Sequence, residues 1–477
     1  MRIFLGWLHV EYPNIPHDFY VYIRGAKTLL LGNPLYGIVF EETGLPYMYG
    51  PLTAVIFAVW IWIFGENYIL LKFPSIIFDC LTIILIFYTI KELTNNERIA
   101  KLGSIFYSFS YMSVLNSGVL GQNGLFFIFF IVFSLYLLIK DRYILAGISL
   151  GIGIGFLIIP LLIFPASVYY IYKRFNLISA FKYIALVGII FFIILTIFYI
   201  NSGTKAFYPY SGYYHTYPVA MLSTLNFIKT LIGIIINIIH FLTTHTVISK
   251  EINPISSQTH PLSIVFNQIA SIVFFSGYLC IFLYMLKFKM SDIKLELIRN
   301  SFLLLFGVMV FSKYVPNLYY LWITPLLLIL IIILEQGNFK EFRLKKSEII
   351  GIVLTFIGLL IYAVLYRWRS DISEIQRVML ILTPFLISFG TYLMLFRIKI
   401  RNSWAILMFG CACFEISCAN PLLILKPFLV KFISETPISF GTYLSYATLY
   451  SFSLLTILIV LIGIILLAKD IHCFKKE

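Results

Sequence analysis

Residues 184–200 read IALVGIIFFIILTIFYI, a stretch without a single charge. Comparable runs recur along the chain, near 68–90, 102–117, 124–139, 143–159, 160–172, 183–200, 262–286, 297–312, 317–334, 349–366, 378–396, 403–426 and 446–468. About 20 apolar residues in a helix cross ~30 Å of hydrocarbon. In lipid each backbone polar group must find its partner inside the chain, which leaves helices or closed barrels. The runs are continuous rather than alternating, so a barrel is excluded. The expectation is an all-α, polytopic transmembrane protein of about 12–14 spans. Composition agrees: 61% of residues are hydrophobic and 12% charged, against roughly one quarter charged in soluble domains. Mean hydropathy is +0.96.

The formal net charge of +14 follows the bias of Lys and Arg toward cytoplasmic loops rather than nucleic-acid binding. On that rule 91–101, 140–142, 173–182, 287–296, 335–348, 397–402 and 469–477 are cytoplasmic. Keeping them together requires 143–172 to be a hairpin of two short helices with Pro160 at the bend, not one long helix. Segment 51–64, PLTAVIFAVWIWIF, is then an interfacial helix lying on or partly in the outer leaflet, and 224–247 is treated alike. The unusual stretches 11–50, 116–124, 201–223 and 313–319 all fall on the outer face. Loops held by a rigid scaffold carry function.

Those stretches hold the candidate residues. HDFYVYIRGAKTLLLGNPLYG, residues 17–37, places Asp18 before an amphipathic pattern of Ile23, Ala26, Leu30 and Leu31. A juxtamembrane helix is expected, ended by Gly32 and Pro34. The structural alternative for Asp18 is a helix N-cap. Arg24 lies in the same stretch. LPYMYGPLTAV brings Tyr47 and Tyr49 ahead of Pro51. Gln122 and Asn123 join two spans in GQNG, where plain turn chemistry is the alternative reading. His215 stands among five tyrosines in 201–223. Lys313 and Tyr319 belong to FSKYVPNLYYLWITP, where snorkelling alone also explains the lysine.

Two carboxylates fall within apolar runs, Asp79 and Glu415; such groups are costly and default to paired or functional. Asp79 follows Lys72 by two helical turns, ~10 Å along the axis, too far for direct contact. Cys80, Cys280, Cys411, Cys413, Cys418 and Cys473 lie mostly inside apolar runs, and Cys411, Cys413 and Cys418 form no recognised metal spacing. No His, Asp or Glu cluster extends beyond His17, Asp18 and distant His215. The sequence specifies no cofactor and leaves dependence on a divalent metal open.

The ordered elements resemble the GT-C glycosyltransferases, above all the polyprenol-phosphate-mannose-dependent mannosyltransferases, of which GPI mannosyltransferase I and the bacterial phosphatidylinositol-mannoside α-1,2-mannosyltransferases are examples. The similarity lies in an Asp early in the first outer loop, a Gly-x-x-x-Tyr turn at Gly32 and Tyr36, and Tyr47-x-Tyr49-x-Pro51-Leu52. GQNG, the Gly-rich AGISLGIGIGFLIIP, and KYVPNLYYLWITP with Asn317 near the family's Gln follow in the same order. The resemblance covers residues 12–325.

The resemblance implies a hexosyltransferase, with mannose as the sugar, that takes it from a polyprenyl-phosphate donor to a lipid- or protein-linked acceptor on the outer face. Transfer would invert, with Asp18 as general base. Arg24, Lys72 and Lys313 would meet phosphate. Tyr47, Tyr49, Gln122, Asn123, His215 and Tyr319 would complete the substrate site. Its partners would be the donor, the acceptor and membrane lipids in the plasma membrane, with no nucleic acid. Residues 1–335 would form the catalytic module, with outer loops 11–67, 116–124, 201–261 and 313–319; residues 336–477 would be variable transmembrane helices. Two features depart from the pattern. Leu157 stands where the family carries Lys, and MRIFLGWLHV replaces a full first span, so an upstream start is one reading of Met1. The alternatives are a transporter or flippase of a lipid-linked sugar, and an inactive scaffold of this fold. The absence of an internal repeat argues against transport.

Overall fold

The structure is a computed structural model. It describes residues 1–8, 17–37, 39–40, 45–210, 261–312, 314–315, 319–335, 344–367, 374–395, 401–419 and 457–466, with residues 220, 221, 223, 225, 226, 228, 229, 231, 232, 235, 236 and 455. Among the described residues the protein is all-α apart from two short ladders, Val39–Phe40 with Leu45–Pro46 and Ala220–Met221 with Tyr314–Val315. Among the described residues four helices have the length and apolarity to cross a membrane: Tyr68–Thr94, Leu177–Tyr210, Ile264–Lys287 and Lys346–Leu365. Six shorter apolar helices accompany them, Gly124–Ile139 and Tyr320–Leu334 among them. The chain divides into two units, one of Met1–Thr216, Ile281–Phe306 and Leu318–Arg343, the other of Tyr217–Cys280, Gly307–Asn317 and Leu344–Glu477.

In the first unit, α1 (Arg2–Leu8), α2 (His17–Leu30), α3 (Pro51–Phe64) and α4 (Tyr68–Leu71) precede α5 (Phe73–Thr94) and α6 (Glu97–Ser108). A single turn, α7 (Tyr111–Val114), runs into a π-helical segment at Leu115–Val119. The helices α8 (Gly124–Ile139), α9 (Tyr143–Phe156), α10 (Phe164–Arg174) and α11 (Leu177–Ser202) follow. α8 and α9 run antiparallel, since the Ser149 hydroxyl donates to the Phe130 carbonyl at 3.1 Å and Ser134 to Ala146 at 2.9 Å. Small residues bring α9 against α11: a Cβ added to Gly151 would lie 2.8 Å from Ile190 Cβ.

The expected hairpin in 143–172 is present. Helical structure breaks at Leu157, and a 3₁₀ turn at Ile159–Ile163 contains Pro160. The ring of Phe175 then returns to within 5.2 Å of Tyr143, and Arg174 pairs with Asp141 at 2.9 Å. The two connections 140–142 and 174–176 therefore share one end of the unit. Lys140 pairs there with Glu92, and Lys91 and Lys101 flank Glu97. This is the basic end.

α3 begins and leaves at the opposite end. The Gly50 amide donates to the Phe156 carbonyl at 2.9 Å, where a Cβ on Gly50 would lie 2.3 Å from the Gly155 oxygen. Twenty-two residues on, Lys72 reaches the Val119 carbonyl at 2.7 Å. From there α5 descends to the basic end. α3 is ~21 Å long, and Trp62 is 77% exposed. An apolar helix that starts and finishes at one end does not cross, which matches its reading as interfacial.

The outward face of this unit is apolar and its inward face carries polar pairs. α1 exposes Ile3, Phe4 and Trp7 and turns Arg2 inward. α11 exposes Phe192, Ile193, Ile197 and Ile200. A helix in water shows the reverse order; a lipid environment accounts for this one.

In the second unit, α15 (Lys346–Arg367), α16 (Glu374–Met394) and α17 (Arg401–Ala419) pack together, and α17 contacts the helix at Ile457–Leu466. α12 (Pro261–Lys287) and α13 (Ile293–Phe311) each have residues in both units, and α14 (Tyr320–Leu334) lies in the first.

Candidate active site

The end of the first unit opposite the basic end gathers the first loop, the π segment and the 121–124 turn. α2 supplies Asp18 in its first turn, next to His17. A carboxylate there is favoured by the unsatisfied amides of the helix start. Asp18 thus lies inside the first turn rather than ahead of it as a cap. α2 stops where the sequence indicated. Gly32 has φ +71°, its amide donates to Leu29, and Asn33 donates back to Thr28, each at 3.0 Å. That paired closure is a Schellman motif, which requires the left-handed residue that glycine provides.

Four residues on from Asp18 is Tyr22, fully buried. Its hydroxyl faces the carboxamide oxygens of Gln122 at 2.9 Å and Asn123 at 3.0 Å. The Asn123 amide nitrogen continues to Thr53 Oγ1 at 3.4 Å. The Tyr22 ring stacks on Phe57 at 5.5 Å and meets Tyr49 edge-on at 4.6 Å. Burial holds the Tyr22 hydroxyl well above the usual phenol range, and the Asp18 carboxylate pushes the same way. α2 is therefore seated on α3 and the 121–124 turn by aromatic packing around one hydroxyl.

A second aromatic layer continues from Tyr49. Tyr47 is fully buried, its hydroxyl donates to the Gly50 carbonyl at 3.3 Å, and its ring lies 5.8 Å from Tyr36. Tyr36 donates to the Tyr49 carbonyl at 3.0 Å. The end of α11 holds the turn before it, with Asn201 Oδ1 accepting from the Leu35 amide at 3.1 Å and Ser202 Oγ from Tyr36 at 3.4 Å. Tyr210 adds a buried hydroxyl without a partner among the described residues.

Lys72 caps this end of α5. It is 2% exposed, and its ammonium donates to Val119 at 2.7 Å and Gly6 at 3.3 Å. A Cβ on Gly121, which has φ +62°, would meet Phe19 at 2.8 Å and Lys72 Cγ at 3.2 Å. At Gly121 the side chains of Phe19 on α2 and of Lys72 lie against the turn. π-helical segments recur at functional sites, and the carbonyl of Val119 is exposed to Lys72 by this one.

The structure thus brings Asp18, Tyr47, Tyr49, Lys72, Gln122 and Asn123 to one end of one unit. Tyr47, Lys72, Gln122 and Asn123 are nearly or fully buried there, among protein groups. Arg24 sits on α2 with its guanidinium donating to Tyr20 at 2.6 and 2.9 Å and 5.0 Å above that ring. Tyr319 stacks on Trp322 at 3.8 Å, and Trp322 packs on Phe127. His215 and Lys313 lie outside the described residues, as does the side chain of Glu415. Leu157 is buried and extended at the end of α9.

Asp79 has partners that sequence reasoning did not find. Arg2 Nε donates to it at 2.5 Å, and Ser113 Oγ lies 2.9 Å from both carboxylate oxygens. Arg2 also reaches Ser113 at 2.6 Å and Ser117 at 3.1 Å. The only hint in sequence was a lone intramembrane carboxylate. Tyr22, Asn201, Ser202 and Tyr210 were missed as well; Tyr22 carries a helical signal, being one turn after Asp18. Among the described residues no group of three or more His, Cys, Asp or Glu side chains is placed to hold a metal ion.

This architecture, with one family match over part of the chain, supports reading the protein as a membrane glycosyltransferase. The match is to glycosyltransferase family 87 and covers residues 47–232, from the Tyr47–Tyr49 element past the end of α11. Asp18 and Arg24 precede that segment, and Lys313 and Tyr319 follow it. Among solved structures, ArnT from Cupriavidus metallidurans bound to undecaprenyl phosphate is similar with a TM-score of 0.49 and 11% identity, over 97% of this chain and 75% of that one. Its apo state gives 0.44 and 13% identity, over 96% and 74%. No curated protein sequence matches.

Proposed function

We propose that the protein transfers a hexose, mannose by the sequence resemblance, from a polyprenyl-phosphate donor to a lipid- or protein-linked acceptor at the outer membrane face. The observation that carries this reading is the position of Asp18. It stands in the first turn of a helix seated by Tyr22 on the Gln122–Asn123 turn, at the same end as Lys72. The ArnT structure named for its bound undecaprenyl phosphate is in keeping with the donor class and is not the basis for it. The sidedness rests on the basic end, where Lys91, Lys101, Lys140 and Arg174 gather; such ends face the cytoplasm.

In this reading the acceptor hydroxyl gives its proton to the Asp18 carboxylate as its oxygen bonds to the anomeric carbon. The bond from that carbon to the phosphate oxygen breaks on the opposite face, inverting the centre, and polyprenyl phosphate leaves. A hydroxyl is a poor nucleophile until its proton is accepted at attack, and a positioned carboxylate contributes about 10²–10⁴-fold. Charge develops on the leaving phosphate, which cationic donors stabilise; Lys72, Arg24 and Lys313 are assigned that part. Among the described residues the buried Lys72 ammonium has two carbonyl partners; in this reading its third proton goes to a phosphate oxygen.

The test is transfer from polyprenyl-phosphate mannose in membranes containing Asp18→Asn protein. Turnover falls by at least 10², with the amount of inserted protein unchanged. Near-normal turnover would remove Asp18 as the base.

A further inference from the structure

The second unit carries a groove of ≈ 830 Å³ that plays no part in the reaction above. α16 and α17 run antiparallel, with the Ser388 hydroxyl donating to the Ala405 carbonyl at 2.9 Å. α15 presses against α16 where two glycines meet: a Cβ on Gly390 would lie 2.8 Å from the Gly351 oxygen. Beside that contact the three helices leave a furrow lined by Leu354, Leu386 and Ile406, with Phe385, Phe389 and Phe409 among its rings. It runs from Leu382 to Tyr392, ten residues of helix or ~15 Å.

Its two ends differ in chemistry. At one end Leu382 and Phe385 are 50% and 57% exposed, in an apolar helix segment. At the other, Tyr392 and Asn402 line the groove, and the Arg401 guanidinium lies 5.4 Å from the centre of the Tyr392 ring. Carbon walls suit an acyl chain. A guanidinium beside the Tyr392 ring, which lines this end of the groove, complements the phosphate of a lipid that carries net negative charge.

We propose that this groove holds an acyl chain of an anionic membrane phospholipid, with the lipid phosphate at Arg401. The occupant is a resident lipid and not the sugar donor. Its site belongs to the second unit, whereas Asp18, Lys72 and the 121–124 turn belong to the first. Charge selects the lipid class, because a zwitterionic headgroup offers the same chain without the net charge.

The test uses purified full-length protein, stripped of lipid in detergent and titrated with phosphatidylglycerol or phosphatidylcholine, with bound lipid counted by native mass spectrometry. Wild type retains phosphatidylglycerol about five-fold over phosphatidylcholine, the ratio set by ~1 kcal/mol per basic side chain at an anionic headgroup. Arg401→Gln brings the two lipids to equal retention, and Arg401→Lys keeps the preference. Ile406→Trp lowers retention of both. Equal retention by wild type, or an unchanged preference in Arg401→Gln, overturns the proposal. So does displacement of phosphatidylglycerol by equimolar polyprenyl phosphate, which would make the groove a donor site. The wild-type competition needs no variant to fold.

Discussion

The Tyr22 hydroxyl lies 2.9 Å from the Gln122 side-chain oxygen, between residues 100 positions apart in sequence. This contact ties the helix that carries Asp18 to the turn at the start of α8. The same hydroxyl faces Asn123 at 3.0 Å, so one proton serves two buried acceptors, and each carboxamide depends on it.

Tyr22→Phe removes that proton and little else. The ring keeps its stack on Phe57 and its edge contact with Tyr49. A buried acceptor left without its donor costs about 1–3 kcal/mol. The variant is expected to unfold in detergent with a stability loss in that range, and to transfer sugar more slowly because α2 is held less firmly. An unfolding transition identical to wild type would show that the hydroxyl seats nothing.

Much of this fold is legible in the sequence and little of its pairing is. The charge-free run at 184–200 becomes the middle of α11 because hydropathy alone specifies a helix in lipid. The bend at Pro160 is legible for two reasons: proline breaks a helix, and the basic loops on either side must share an end. Gly32 announces the end of α2 through its need for positive φ. Tyr22 with Gln122, and Arg2 with Asp79, are not legible, because no periodicity links residues 100 or 77 positions apart. Burial was equally hidden. Tyr47, Gln122 and Asn123 read as loop residues open to a substrate, yet the packing of α2 on α3 covers them. The π segment left no sequence signal at all.

Arg2 and Asp79 form an ion pair with side chains 10% and 0% exposed. Breaking a buried pair from one side leaves an unmatched charge, which costs about 3–5 kcal/mol. Asp79→Leu alone and Arg2→Met alone are each expected to lose stability in that range, or to insert poorly. The double variant strands no charge, so it should be more stable than the two single losses add up to, with a coupling of at least ~1 kcal/mol. Additive losses in unfolding measurements on the three variants would show that Ser113 and Ser117, not the ion pair, hold α1 in place.

The hairpin is closed at the basic end by Arg174, which meets Asp141 at 2.9 Å through Nη2 and 3.1 Å through Nε. Hydrogen bonding from Arg174 is the main cause that holds the Asp141 carboxyl below its ordinary range. A carboxylate depressed in the folded state contributes stability above its unfolded pKa, ~3.9, and loses it as pH falls through the folded value. The pair is partly exposed, so solvent screening limits its worth to ~0–1 kcal/mol. Arg174→Gln should therefore lower stability by no more than that at pH 7, and the gap from wild type should close as pH is lowered below ~4. Asp141 also has φ +60°, a left-handed conformation that Asn tolerates. Asp141→Asn then removes the charge without straining the backbone and should match Arg174→Gln at pH 7. A gap that stayed constant from pH 7 to pH 3 would mean that the guanidinium acts by packing on this end, and that charge does not close the hairpin.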